Sequence, residues 1–244
     1  MDKLIYTAMT GAKYAMSRQD THAQNLANAT TTGYRAETAA YRAVPLEGSP
    51  TRVFVLDAST GADLTPGPVK QTGRSLDIAL QGAGWIAIEG RDGREAYTRN
   101  GSLQVSPAGI LTTDDGLPVL SDGGPLAVPP DSTLRISQDG TVSAVSAARP
   151  GAVQGAGRLK LVNPPAADLV KSPDGLFRTR SGAPAQVDET VRLSPGALEG
   201  SNVNVVESLV GMIALARQFD LQMKLLQNAE TNGRESQRLL SVSG

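Results

Sequence analysis

Apolar and small residues near the start of the chain recur in steps of four and three: Ile5, Met9, Ala12 and Met16, then Gln19, Ala23 and Leu26. This heptad seam predicts an amphipathic N-terminal helix. Gly11 and the small seam residues weaken such a helix standing alone, so it is expected to need a partner. The far end repeats the pattern more strongly in Val205, Leu209, Met212, Ala216, Phe219, Met223 and Leu226. Asn204 offers a cap, with Glu207 in the capping-box position. A helix over 205–231 would be about 40 Å long, and Asn232-Gly233 is the expected stop. Arg217, Asp220, Lys224 and Glu230 mark its flank as solvated or interfacial rather than membrane-embedded.

Between these ends the period changes from helical to alternating. From about Ser75 to Leu193, short runs such as LDIAL, WIAIE, LRIS and RLKLV are separated by Gly, Pro and the pairs Asp92-Gly93, Asp115-Gly116, Asp122-Gly123, Asp139-Gly140 and Asp174-Gly175. These are strands punctuated by turns. Residues 44–74, with Pro45, Pro50, Pro66 and Pro68, look like an extended connection. The expected class is α+β, mainly β: an all-β central domain flanked by N- and C-terminal α-helices that form a coiled-coil-like axial core. The corresponding divisions are 1–33, an extended connecting segment over 34–74, a β-rich domain over 75–197 and a C-terminal helix over 198–244.

Two terminal seams around a self-sufficient β module can pair within one molecule or with the ends of neighbouring molecules. The second arrangement builds a polymer.

Composition narrows the chemistry. The 244 residues suffice for one large domain or two small ones, and a net charge of -1 gives no electrostatic reason to bind nucleic acid or anionic lipid. Cysteine is absent, which removes disulfides, thiolate nucleophiles and thiolate zinc sites. The first twenty residues lack the apolar core of a secretory signal, and no stretch approaches the roughly 20 apolar residues of a membrane span.

Each motif that suggests catalysis or a cofactor has a structural explanation. Gly82-Ala83-Gly84-Trp85-Ile86-Ala87 fits a dinucleotide fingerprint, but that fingerprint requires a following helix, and Trp85–Glu89 alternates like a strand. His22, the only histidine, sits in the N-terminal helix with no serine or carboxylate constellation, which argues against a triad or metal site. Asp114-Asp115 could serve as paired carboxylates, yet Gly116 makes them a turn. Tyr97 and Arg99 belong to a hairpin. No catalytic residue, cofactor or metal is expected.

One phrase remains: NLANATTTGYRA, residues 25–36. It closely resembles the N-terminal signature of bacterial flagellar axial proteins of the rod and hook class. LEGSNVNVVESLVGMIALARQFDLQMKLL, residues 198–226, resembles the C-terminal helix of the same class. MDKLIYTAMTGA, YRAVPLEG, GRSLDIALQGAGW, EAYTRNGSLQVSPAG and GRLKLV are similar to the proximal members, so the resemblance runs through nearly the whole chain.

Within the phrase, the amides of Asn25 and Asn28 can satisfy backbone carbonyls and bridge to a neighbour, Thr30 to Thr32 favour extended backbone, Gly33 permits a positive φ and Tyr34 can anchor in an adjacent subunit. The resemblance implies a non-enzymatic subunit of the proximal rod, the shaft that crosses the periplasm, encloses the export channel and transmits motor torque towards the hook. It implies export through the flagellar type III apparatus without a cleaved signal peptide, other proximal and distal rod proteins as partners, and a helical hetero-oligomer with no membrane insertion. The seam residues, with Asn25, Asn28, Gly33 and Tyr34, are the expected subunit contacts. The alternatives are a distal rod or hook-related subunit and, from a different class, a wall-glycan-binding module anchored by rod helices.

Overall fold

In the computed structural model the described residues are 2–46, 49–130, 132–146 and 153–242, and they form two compact units. The first contains helix α1 (Asp2–Ala27), a two-stranded ribbon of β1 (Glu37–Leu46) and β2 (Ser49–Ala62) that ends at the unit's edge, and helix α2 (Val205–Val242). The second comprises Asn28–Ala36 and Ala62–Asn202 and is built almost wholly of short antiparallel strands. The mainly-β α+β architecture, with a strand-rich centre between terminal helices, is as expected.

Helix α2 starts as its sequence dictates. The Asn204 side-chain oxygen accepts the Glu207 backbone N–H at 3.2 Å, and the Asn204 carbonyl accepts that of Ser208 at 3.0 Å. Its end corrects the sequence reading, because the helix runs through Asn232-Gly233 to Val242. One glycine inside a helix costs only about 1 kcal/mol. Here the Thr231 hydroxyl bonds the Gln227 carbonyl at 2.9 Å and Arg234 pairs with Glu230 one turn back, so helical contacts bracket the glycine.

The helices pack through small residues. Ala8, Ala12 and Ala15 are buried on α1, and Ser208, Leu215 and Ala229 on α2. A Cβ on Gly11 would lie 3.0 Å from the Gln222 side chain, and one on Gly211 would lie 2.8 Å from the His22 ring. Each helix therefore offers a glycine notch filled by a polar side chain of the other. Residue numbers rise along α1 from Gly11 to His22 while they fall along α2 from Gln222 to Gly211. The pair is antiparallel.

In the β unit the strand Trp85–Glu89 is the second strand of a five-stranded antiparallel sheet, between Leu161–Val162 at the edge and Glu95–Thr98 in the middle, with Phe177–Thr179 and Leu169–Lys171 beyond. Its alternation places Ile86 and Ile88 in the main core with Leu80, Leu103, Leu111 and Leu161. Trp85 and Ala87 face the opposite way into a smaller cluster with Tyr97, Val162 and Phe177. Both faces are covered. The stretch 82–87 is a turn leading into a strand, so the dinucleotide reading fails on its missing helix.

Tyr97 ties the smaller cluster to a loop: its hydroxyl donates to Glu95 at 3.0 Å and accepts the Ala185 N–H at 2.7 Å. Lys160 pairs with the other oxygen of Glu95 at 2.7 Å. Burial pushes the Tyr97 hydroxyl up to about 12, from an ordinary value of 10. Because the folded value is the higher one, this group's contribution is intact below pH 10 and is lost as pH rises towards 12. Tyr97→Phe is expected to cost about 1–2 kcal/mol near neutrality and to flatten the alkaline limb. Denaturant midpoints measured from pH 7 to 11 test both effects.

Candidate functional site

The chain leaves α1 through two turns over Asn28–Gly33, so Thr30 to Thr32 lie in turns or bends rather than extended backbone. Before them, Asn25 is buried and its side chain imitates a strand partner for the first residue of β1. Its Nδ2 donates to the Glu37 carbonyl at 2.9 Å and its Oδ1 accepts the Glu37 N–H at 2.7 Å. Asn28 accepts the Thr31 hydroxyl at 3.2 Å. Tyr34 is half-buried beneath the Lys171 ammonium, 3.9 Å above its ring, and the same ammonium donates to the Arg35 carbonyl at 3.0 Å.

Gly33 sits at φ +68°, with its N–H bonded to the Glu199 carbonyl at 2.8 Å. A Cβ there would lie 2.3 Å from the Arg99 carbonyl carbon and 2.4 Å from the Asn100 nitrogen, both backbone atoms. The position thus excludes a side chain twice over, by conformation and by approach.

Beneath this turn lies a cluster of buried charges. Glu199 Oε1 accepts from Arg35 at 2.6 Å and from the Gly67 N–H at 2.8 Å, while Oε2 accepts from Arg99 at 2.8 Å. The Arg35 and Glu199 side chains are 0% and 1% exposed. Arg99 also donates to the Gly82 carbonyl at 2.5 Å and lies 5.5 Å over the Trp85 ring. Burial is the main influence on the Arg35 guanidinium and lowers its pKa, with Glu199 opposing. Next to it, Asn202 accepts the Ala36 N–H at 2.7 Å and donates to the carbonyls of Asp63 and Thr65 at 2.9 and 3.0 Å. The terminal signatures are therefore one structure: GYRA docks on LEGSN, with the EAYTRN hairpin beneath.

Of the expected contact residues, Ala12 is buried between the helices, whereas Met9 and Met16, each 54% exposed, lie outside with Ala23. On α2, Met212, Phe219 and Leu226 are half-buried, and Val205, Leu209, Ala216 and Met223 are exposed. Leu26 is half-buried; the side chain of Ile5 lies outside the described residues. The seam read from sequence thus runs along one side of the observed contact. The charge cluster went unread, although one signal was available: in Ala197–Glu199 the two inward positions are Ala197 and Glu199, an acid where the alternation calls for an apolar residue. Among the described residues, no group of three or more His, Asp or Glu side chains could hold a metal ion.

Three family models match the chain in order. The flagella basal body rod protein model covers residues 5–35, the flagellar hook protein FlgE/F/G D1 domain 79–144, and the flagellar basal body rod FlgEFG protein C-terminal model 194–239. The flagellar basal-body rod protein FlgF of Escherichia coli K12 is 46% identical over all of both chains, and that of Salmonella typhimurium LT2 is 45% identical over the same extent. The chain belongs to the flagellar basal-body rod proteins. The rod protein FlgG of Bacillus subtilis is 28% identical over 94% of this chain and 96% of its own. In this rod protein the N-terminal family model ends on Arg35, the middle one contains Arg99 and the C-terminal one contains Glu199. The buried cluster draws one residue from each.

Proposed function

We propose that this chain is a structural subunit of the proximal rod of the flagellar basal body. Full-length similarity to FlgF proteins supports the assignment, and the observation that carries its mechanism is the apolar surface left on a helix pair already closed on itself. Val206 is 69% exposed, Val210 and Leu221 61%, and Ile213 57%. A helix with apolar residues on nearly every side fits burial among several neighbours.

In this reading the expected seam, from Ile5 to Leu26 and from Val205 to Leu226, makes contacts between subunits of the shaft. The partners are other rod proteins, proximal and distal. The subunit reaches the periplasm-spanning rod through the type III export apparatus. The helices line the channel and the β unit faces outward. Torque passes through many buried helix contacts and needs stiffness, not a reactive group; head-to-tail contacts that do not close on themselves propagate such a shaft. The signature turn is held within the β unit by the Glu199 carbonyl.

Val210→Glu is expected to abolish swimming in a strain lacking the native chain, because a carboxylate would enter a dry contact. The purified variant should keep the parent's unfolding midpoint, since Val210 is exposed. Normal swimming by the variant would contradict the proposal.

A further inference from the structure

The antiparallel register makes the exposed stripes of the two helices parts of one surface. Extended from the Gly11–Gln222 and His22–Gly211 contacts, it sets Met9 level with Met223, Met16 with Ala216 and Ala23 with Leu209, each within one residue. At about 100° per residue, the α1 stripe lies roughly 90° round from buried Ala8, Ala12 and Ala15. The α2 stripe lies roughly 90° round from buried Ser208 and Leu215, in the same rotational sense. In an antiparallel pair, equal rotations in the same sense bring both stripes to the same side. The result is a two-helix apolar ledge of three rungs, all six residues exposed.

A second stripe, Val210, Leu221 and Leu225, runs along α2 roughly 140° further round. These residues are 61%, 61% and 50% exposed. It forms a single-helix ridge facing away from the ledge. The charges beside the two surfaces are complementary in excess. Asp20 and Asp220, with Lys13, edge the ledge, whereas Arg217 and Lys224, with Glu207, flank the ridge.

From the rungs to the end of α1 the ledge is about 27 Å long by helix rise and about 18 Å wide for two packed helices. That gives about 500 Å², short of the roughly 800 Å² per partner of a stable dimer. A contact of this size suits a chain that makes it twice, once with each surface.

Resting on the rod-subunit reading, we infer that the ledge Met9–Met16–Ala23/Leu209–Ala216–Met223 receives the α2 ridge Val210–Leu221–Leu225 of a second copy of this chain. The contact is heterologous, so interior copies use both surfaces and only the copies at the two ends of the row keep a free ledge or ridge. Shape supports it as well as charge: a ridge one helix wide lies in the groove between two helices, and Met9, Met16 and Met223 adapt to it.

The test places a benzophenone amino acid at Met16 of the full chain, expressed in swimming cells that lack the native copy, with irradiation followed by isolation of basal bodies. The expected product has twice the chain's mass, and its cross-link maps to the α2 segment bearing Val210, Leu221 and Leu225. The copy's own ridge faces away from Met16 and is out of reach. A chain present in the shaft but cross-linked to a different protein, to another part of a second copy, or to nothing overturns the inference and leaves the rod-subunit reading standing. A chain absent from the shaft overturns both.

Discussion

Glu199→Ala is expected to destabilise the β unit by about 3–5 kcal/mol, because it leaves two buried guanidinium groups facing each other without their shared carboxylate. Arg35 and Arg99 each make an ion pair with Glu199, and the Nε atoms of both already lack a hydrogen-bond partner. The Gly67 N–H loses its acceptor in the same change. For comparison, Arg178→Ala removes pairs in which Asp92 and Asp174 are 45% and 40% exposed. Exposed pairs of that kind are worth about 0–1 kcal/mol. Urea unfolding of the two variants checks the contrast. A loss below about 1 kcal/mol for Glu199→Ala would mean that the cluster does not hold the turn.

Gly33→Ala is the second large effect, and its control is Gly175→Ala. Both glycines have positive φ, +68° and +81°, so each substitution incurs the left-handed backbone cost of about 1 kcal/mol. Only Gly33 faces backbone atoms at 2.3 and 2.4 Å; at Gly175 nothing lies within 4 Å. The Arg99–Asn100 backbone must move to admit the new carbon, and Arg99 moves with it off Glu199. The expected loss is about 3–5 kcal/mol at Gly33 against about 1 at Gly175. Swimming should fail at 37 °C in the first variant and persist in the second. Equal unfolding midpoints for the two variants would contradict the close-approach account.

What the sequence shows of this fold is what short-range physics writes into it. The Asn204 cap, the strand Trp85–Glu89 and the Asp-Gly turns each depend on residues a few positions apart, and each was legible. The Glu199 cluster was not, because Arg99 and Arg35 lie 100 and 164 residues away from it. Positive φ at Gly33 could be anticipated from the phrase around it, but the backbone that bars a side chain there comes from a distant hairpin. The heptad seam was legible as a period and not as a partner. Counting apolar residues selects Met9 and Met16, while close helix approach selects Ala8, Ala12 and Ala15. The bulkier residues are left for other contacts. Helix α2 overran its expected end because Asn232-Gly233 acts as a stop only where the chain has cause to turn, and here it has none.

The most direct test of the account is electron cryomicroscopy of isolated basal bodies, with this chain fitted into the shaft density. The account predicts the chain in the motor-proximal shaft, α1 and α2 against other subunits around the channel, the β unit outside and the Gly33 turn seated on Glu199. A chain found only in the hook, or a shaft in which the two helices touch no neighbouring subunit, would contradict it.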